Sequence, residues 1–255
     1  MAFVLGVLAA ACGPKLVALP TRGERLPDAA RVLDTATSAC AGVRTLSAEL
    51  ALAGRAAGHK LRGRVHVGFA TPDRMRLEGV APFGPPAFVL AASGGRATLL
   101  FPRDDRVLSD ASPADVVDAL AGIALGPDAL KALLTGCVSP TLEVSRAERF
   151  PNGWIRAVLG DGTTTVYTNR DRIVAGEVGA WRVDYTLGAG AFPPRLRLTT
   201  RDVSGAASTD LAVDISQLDT NVTLDDDAFT VAIPGGATAI TLDEVRRLGP
   251  LGPAS

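Results

Sequence analysis

Residues 112–137 read SPADVVDALAGIALGPDALKALLTGC, the only long helical pattern in a chain whose flanks both alternate like strands. Val116, Val117, Leu120 and Ile123 recur at helical spacing, and Leu130, Leu133, Leu134 and Cys137 renew the stripe, which is the period of a helix burying one face. Ser112 is placed to be an N-cap. Pro113 then falls at the first helical position, where its missing N–H costs nothing, and Asp115 falls in the first turn, where a negative charge suits the helix dipole. Gly126-Pro127-Asp128 interrupts the run and restarts it. The stretch therefore predicts two short helices, each with an apolar face that a sheet must cover.

Strand patterns lie on both sides. Upstream, residues 27–43 form a further helix candidate with Ala30, Val32, Leu33, Ala36 and Cys40 on one side. Residues 46–55, 59–70 and 74–79 then alternate, with Leu61, Val65, Val67, Phe69, Met75 and Leu77 on one face and Lys60, Arg62, Arg64, His66, Arg74, Arg76 and Glu78 on the other. The loop 80–86, VAPFGPP, is dictated by proline and glycine and carries Phe83 at its tip. Such a residue can be a plug, a membrane contact or a core contact. Downstream of residue 137, strand patterns separated by short turns continue to residue 218. The pattern predicts an α+β fold, mostly antiparallel β, of about eleven strands in one meander interrupted once by helices.

Composition limits the function classes. A net charge of −1 and only 21% charged residues give no electrostatic footprint for nucleic acid. Hydrophobic residues make up 47% of the chain but aromatics only 5%, so the core is built from small aliphatic side chains. There are only two histidines, and His59 and His66 both fall at solvated positions. No P-loop, GxSxG, HExxH or dinucleotide fingerprint occurs. The acidic positions Asp219, Asp225, Asp226 and Asp227 lack EF-hand spacing and read as a solvated turn. The expectation is a protein that is not an enzyme, with no cofactor and no metal. Arg62, Arg64, Arg74 and Arg76 make either an ordinary wet face or a basic stripe for anionic lipid headgroups.

The N-terminus, MAFVLGVLAAAC, is an apolar run closed by a cysteine. It is shorter than the about 20 residues a bilayer span needs, and it has the length of a signal-peptide apolar region. Ala9, Ala10 and Ala11 before Cys12 resemble the lipobox of bacterial lipoproteins, with Leu8 one place further from the cysteine than usual. That resemblance implies lipid attachment at Cys12, a signal peptide over residues 1–12 and a tether over 13–27. The other reading makes the run a core element and Cys12 an ordinary thiol. Cys40 and Cys137 remain, either bridged in a disulfide-permissive compartment or as two buried thiols.

The order of elements also resembles the LolA/LolB-like lipoprotein fold, an unclosed β-barrel wrapped around a helical lid. VRTLSAELALAG (43–54) is similar to that family's opening strand, RMRLEGVAPFGPPAFVL (74–90) to its strand, loop and apolar strand, and DDDAFTVAIPGGATAI (225–240) to its ending. The likeness covers roughly residues 28–242. It implies one domain over 28–246 with residues 112–137 as the lid, a disordered tail over 247–255, and binding of acyl chains of lipids or lipoproteins between sheet and lid.

The same resemblance implies a lipid-anchored envelope protein at the outer membrane facing the periplasm, a periplasmic carrier protein as a partner, and no nucleic acid. Gly13 in place of an inner-membrane retention Asp leans the same way. Phe83 is the counterpart of an exposed membrane-insertion loop. Strand parity then nominates cavity-lining residues. On the first run of strands they are Leu61, Val65, Val67, Met75 and Leu77, followed by Phe88, Leu90 and Leu99. The lid supplies Val116, Leu120, Ile123, Leu130, Leu133 and Leu134, and the second run supplies Trp181, Val183 and Leu196. Gly122 and Gly126 are candidate hinges. The alternative from a different class is a structural lipoprotein of an envelope assembly, acting by protein contacts and with a filled interior.

Overall fold

The computed structural model describes residues 16–27, 29–56, 59–138, 142–160, 162–201 and 207–248. The expected signal peptide over residues 1–12, with Cys12, lies outside the described residues, as does the expected tail 247–255 except for Arg247 and Leu248, which belong to the last helix. The chain opens with β1 (Glu24–Arg25) and α1 (Ala29–Thr37), which tightens into a 3-10 turn, Ser38–Cys40. Six strands follow: β2 (Thr45–Ala56), β3 (His59–Ala70), β4 (Arg74–Val80), β5 (Val89–Ser93), β6 (Arg96–Phe101) and β7 (Arg106–Ala111). The interruption is α2 (Pro113–Ala121) and α3 (Pro127–Thr135). The second run is β8 (Val144–Arg149), β9 (Trp154–Leu159), β10 (Thr164–Asn169), β11 (Arg172–Val178), β12 (Trp181–Thr186), β13 (Arg195–Arg201) and β14 (Ala207–Thr220). A second 3-10 turn, Asp226–Phe229, leads to β15 (Thr238–Ala239) and α4 (Leu242–Leu248).

All strands belong to one sheet in the order β1-β8-β9-β10-β11-β12-β13-β14-β2-β3-β4-β5-β6-β7-β15. Every pairing is antiparallel except β15 with β7. The two runs are joined by β14 on β2, and β1 and β15 end the order without meeting, so the barrel is unclosed. The sheet has fifteen strands rather than about eleven. The additional members include β1 and β15, two residues each, which are held by backbone pairing and are too short to carry an alternating pattern. Register shifts put an extra residue into β14 between Ser216 and Asp219, into β11 opposite Tyr167/Thr168 and into β7 opposite Ala97/Leu99, and these bulges help to curve the sheet.

Residues 16–27 differ from the expected tether. The Val17 N–H donates to Asp184 Oδ1 at 3.2 Å, the Arg182 guanidinium donates to the Val17 carbonyl, and Leu19 packs on a small cluster of Tyr167, Val174 and Ala175. Glu24 and Arg25 then pair with Arg149 and Glu148 at the sheet edge. The partners of this segment lie far along the chain, so it carries no local period. Asp184, buried on the outer face, is held by Arg182 through Nε at 2.8 Å and Nη2 at 2.6 Å.

Candidate functional site: an apolar interior under two helices

In the ladder Leu50 faces Val65, Val67 faces Leu77, Leu77 faces Leu90, and Leu90 faces Leu99. On the other side of the β14–β2 join, Val213 faces Leu196 and Leu198 faces Val183. Because side chains alternate along each strand, this register stacks one continuous apolar stripe across the concave face. Leu61, Val65, Val67, Met75, Leu77, Phe88, Leu90, Leu99 and Leu196 are buried members of a single core cluster. Val116, Leu120, Ile123 and Leu134 of the helical stretch belong to the same cluster, with Leu130, Leu133, Trp181 and Val183 packed against it half-buried. The structure thus brings together every residue nominated by parity. The buried ones are 0–8% exposed, so they touch one another and the interior is packed. Asp184 is the one charged residue buried among the described residues, and it points outward.

The nomination was incomplete. Leu46, Phe69 and Phe101, each 0–1% exposed, share the cluster and were readable from the same strand parity. Ile240 and Val245, from the C-terminal segment, join it as well. Val245 lies on α4, whose first turn is a reciprocal cap: the Thr241 N–H donates to Glu244 Oε2 at 2.8 Å and the Glu244 N–H donates to Thr241 Oγ1 at 3.3 Å.

The two helices of the interruption are held differently. In α2 Pro113, Val116, Val117, Ala119 and Leu120 are buried, and the helix packs on α4 and β6. In α3 only Leu134 and Thr135 are buried. Both start with proline after an extended residue, as expected, although the Ser112 hydroxyl makes no capping bond. Both end at a glycine in the left-handed region, Gly122 at φ 67° and Gly136 at φ 68°, a conformation that a side chain would strain.

The C-terminal end of α3 is latched. Cys137 forms a disulfide with Cys40, with Cα atoms 6.3 Å apart, which ties α3 to the end of α1. Tyr185 of β12 donates its hydroxyl at 2.9 Å to the Leu133 carbonyl in the last turn of α3, which also accepts the Gly136 N–H at 3.4 Å. Burial pushes the Tyr185 phenol well above its usual pKa, so it stays a donor. Beside the latch is a cavity of about 200 Å³ lined by residues that include Thr35, Ser38, Cys40, Thr135, Arg172 and Pro193. Replacing Tyr185 with phenylalanine is expected to cost about 0.5–1.5 kcal/mol, the loss of one hydrogen bond at a carbonyl that keeps the Gly136 N–H at 3.4 Å. Urea unfolding measures the loss, with an unchanged midpoint contradicting the latch.

The outward arginines do not form one stripe. Arg74 pairs with Asp226 and lies over the Phe229 ring, 4.9 Å from its centre. Arg76 pairs with Glu78 and donates to the carbonyls of Ala228 at 2.8 Å and Thr230 at 3.1 Å. These two hold the C-terminal segment against the outer face. Arg62 and Arg64 remain exposed. Phe83 is 87% exposed, so of its open readings the core contact is excluded. No helix among the described residues is long and apolar enough to cross a membrane.

No family model matches the sequence, and the curated proteins give no significant match. Solved structures do match. A LolA superfamily protein from Nitrosomonas europaea is 15% identical with a TM-score of 0.54, over 79% of this chain and 96% of that one. A DUF1329 family protein from Desulfovibrio piger is 9% identical with a TM-score of 0.52, over 78% of this chain and 96% of that one. At these identities the likeness is one of architecture, and the chain has the LolA-like open-barrel fold.

Proposed function

We propose that the chain is a lipid-anchored envelope protein that takes acyl chains of lipids or lipoproteins between its half-barrel and its helical lid, for transfer at the outer membrane. The observation that carries this reading is the unbroken apolar cluster joining the concave face of the sheet to α2 and α3. Each CH₂ moved from water into such surroundings gains about 0.8 kcal/mol, so a long acyl chain needs no polar recognition of its tail. In this reading no side chain makes or breaks a covalent bond, and no metal or cofactor takes part.

The packed interior makes uptake a displacement. An acyl chain takes the place of the α3 side chains, because α3 is the less buried helix and the segment 122–126 before it contains both Gly122 and Gly126. The mobile element is then α3, with α2 fixed by α4. Cys12 supplies the anchor and a periplasmic carrier protein delivers the cargo.

The second reading, a structural lipoprotein with a filled interior, is favoured by one observation: the buried interior residues are 0–9% exposed. Mass spectrometry of lipids co-extracted with the natively purified full chain separates the two. Recovery of acyl lipid in stoichiometric amount is expected. Repeated recovery of none, with hydrogen exchange in α3 unaltered by added fatty acid, would sink the carrier reading.

A further inference from the structure

Among the described residues three buried side-chain polar atoms have no hydrogen-bond partner: Arg156 Nε, Thr168 Oγ1 and Arg172 Nη2. Arg156 already pairs with Glu148 through its Nη2 at 2.8 Å. The other two share the β10–β11 hairpin, where Asn169 faces Arg172 and Thr168 faces Ile173. A buried donor without a partner is costly, so two of them in one hairpin call for a group that pairs them. Arg172, half-buried, lines the cavity beside the latch. Ile173 lines the same cavity and is a member of the core cluster, so the cavity floor is continuous with the apolar interior. Thr168 is 1% exposed and stands in the ladder between Ile155 and Ile173, both of that cluster, which puts its hydroxyl on the interior side.

The cavity, about 200 Å³ against the roughly 15 Å³ that one water needs, admits a group of several atoms. Arg172 donates through Nη1 to the Gly188 carbonyl at 2.7 Å, which leaves Nη2 as a donor. The hydroxyls of the lining have used their protons on helix carbonyls. Thr35 donates to the Arg31 carbonyl at 2.8 Å, Ser38 to the Thr35 carbonyl at 2.9 Å and Thr135 to the Lys131 carbonyl at 2.8 Å. Each keeps lone pairs only. Asp171, exposed, adds a further acceptor, and it and Arg172 are the charged residues of the lining, of opposite sign. The closing turns of α1 and α3 end here too, and a helix C-terminus carries about half a negative charge. A carboxylate or phosphate would meet a surface that is neutral to negative and rich in acceptors. An uncharged head with hydroxyls can accept from the free donors and donate to the lone pairs.

We infer that this cavity is the head-group site of the acyl ligand and that it takes an uncharged, hydroxyl-bearing ester head, such as that of an acylglycerol. The ester carbonyl accepts from Thr168 Oγ1, a head hydroxyl accepts from Arg172 Nη2, and the head's own protons go to the hydroxyls of the lining. The inference rests on the acyl-chain reading of the interior and gives it a direction, with the head at the disulfide and the tail running from there into the core.

Displacement of a bound fluorescent fatty acid from the full chain tests it, with monolauroylglycerol, laurate and methyl laurate as competitors that share one tail. Monolauroylglycerol is expected to compete at roughly tenfold lower concentration than methyl laurate, and laurate to do no better than methyl laurate. Arg172→Leu is expected to remove most of that advantage and to leave the methyl laurate value unchanged, which also shows that the variant is folded. Thr168→Val is expected to weaken both esters by roughly threefold or more and to raise the melting temperature, because the apolar isostere removes an unpaired buried hydroxyl. A hydroxyl with a merely structural role would lower it. Equal competition by the three, laurate as the best of them, or an advantage that survives Arg172→Leu would overturn the inference and leave the acyl reading standing. Displacement by none of the three would instead sink the acyl reading itself.

Discussion

Replacing Cys40 and Cys137 together with alanine is expected to lower the melting temperature by roughly 10–15 °C and to speed the exchange of acyl ligand. The bridge closes a loop with a sequence separation of 97, and cross-linking so long a loop removes roughly 4–5 kcal/mol of freedom from the unfolded chain. Its position adds a second consequence. It joins the end of α1, which contacts β8 and β11, to the end of α3, the half of the lid with fewest buried residues. With the bridge gone, the Tyr185 bond and the packing of Leu134 are left to keep α3 seated. The double variant is the right probe because a single substitution leaves a free thiol next to the cavity. Calorimetry reads the first effect and stopped-flow release of a fluorescent fatty acid reads the second. Unchanged exchange, despite the lower melting temperature, would mean that α3 is not the moving part.

The second large effect is expected from Leu99→Ala. Leu99 is fully buried in β6, opposite both Leu90 and Leu108, and belongs to the same cluster as Val116 and Leu120 of α2. Truncation leaves a void that rigid strands close only in part, at a cost of about 2–5 kcal/mol. The functional consequence follows from what can fill the void. If the interior accepts acyl chains, saturating fatty acid restores much of the lost stability, by about 2.7 kcal/mol at a hundredfold excess over its dissociation constant. Denaturant melts with and without fatty acid measure this. A variant that stays destabilised at every fatty acid concentration would place the ligand elsewhere or nowhere.

Much of the concave face was legible because it repeats. Leu61, Val65 and Val67 alternate with Arg62, Arg64 and His66, and that period alone assigned them to one side of β3. The helical stretch was equally plain, since Pro113 and Pro127 start its helices and Gly122 and Gly136 end them. What a local period cannot carry was lost. The pairing of Cys40 with Cys137 stayed one of two open readings, because it is a distance in space. The docking of Val17 on Asp184 joins positions 167 residues apart through one backbone N–H. The edge strands β1 and β15 are defined by their neighbours' hydrogen bonds and by nothing in their own side chains. The basic stripe failed for a related reason: Arg74 and Arg76 share the outward parity of Arg62 and Arg64, but the C-terminal segment folds back onto them. Parity gives a face and says nothing of what later covers it.

In the proposed function an acyl chain lies between the sheet and α3. A fatty acid with a photoreactive group near its methyl end, cross-linked to the full chain and mapped by peptide mass spectrometry, tests this most directly. Cross-links are expected on concave-face and lid residues such as Met75, Leu99, Leu120 and Leu134, and to disappear when unlabelled fatty acid competes. Cross-links confined to the outer face or to the Phe83 loop, or a pattern that competitor does not reduce, would contradict the account.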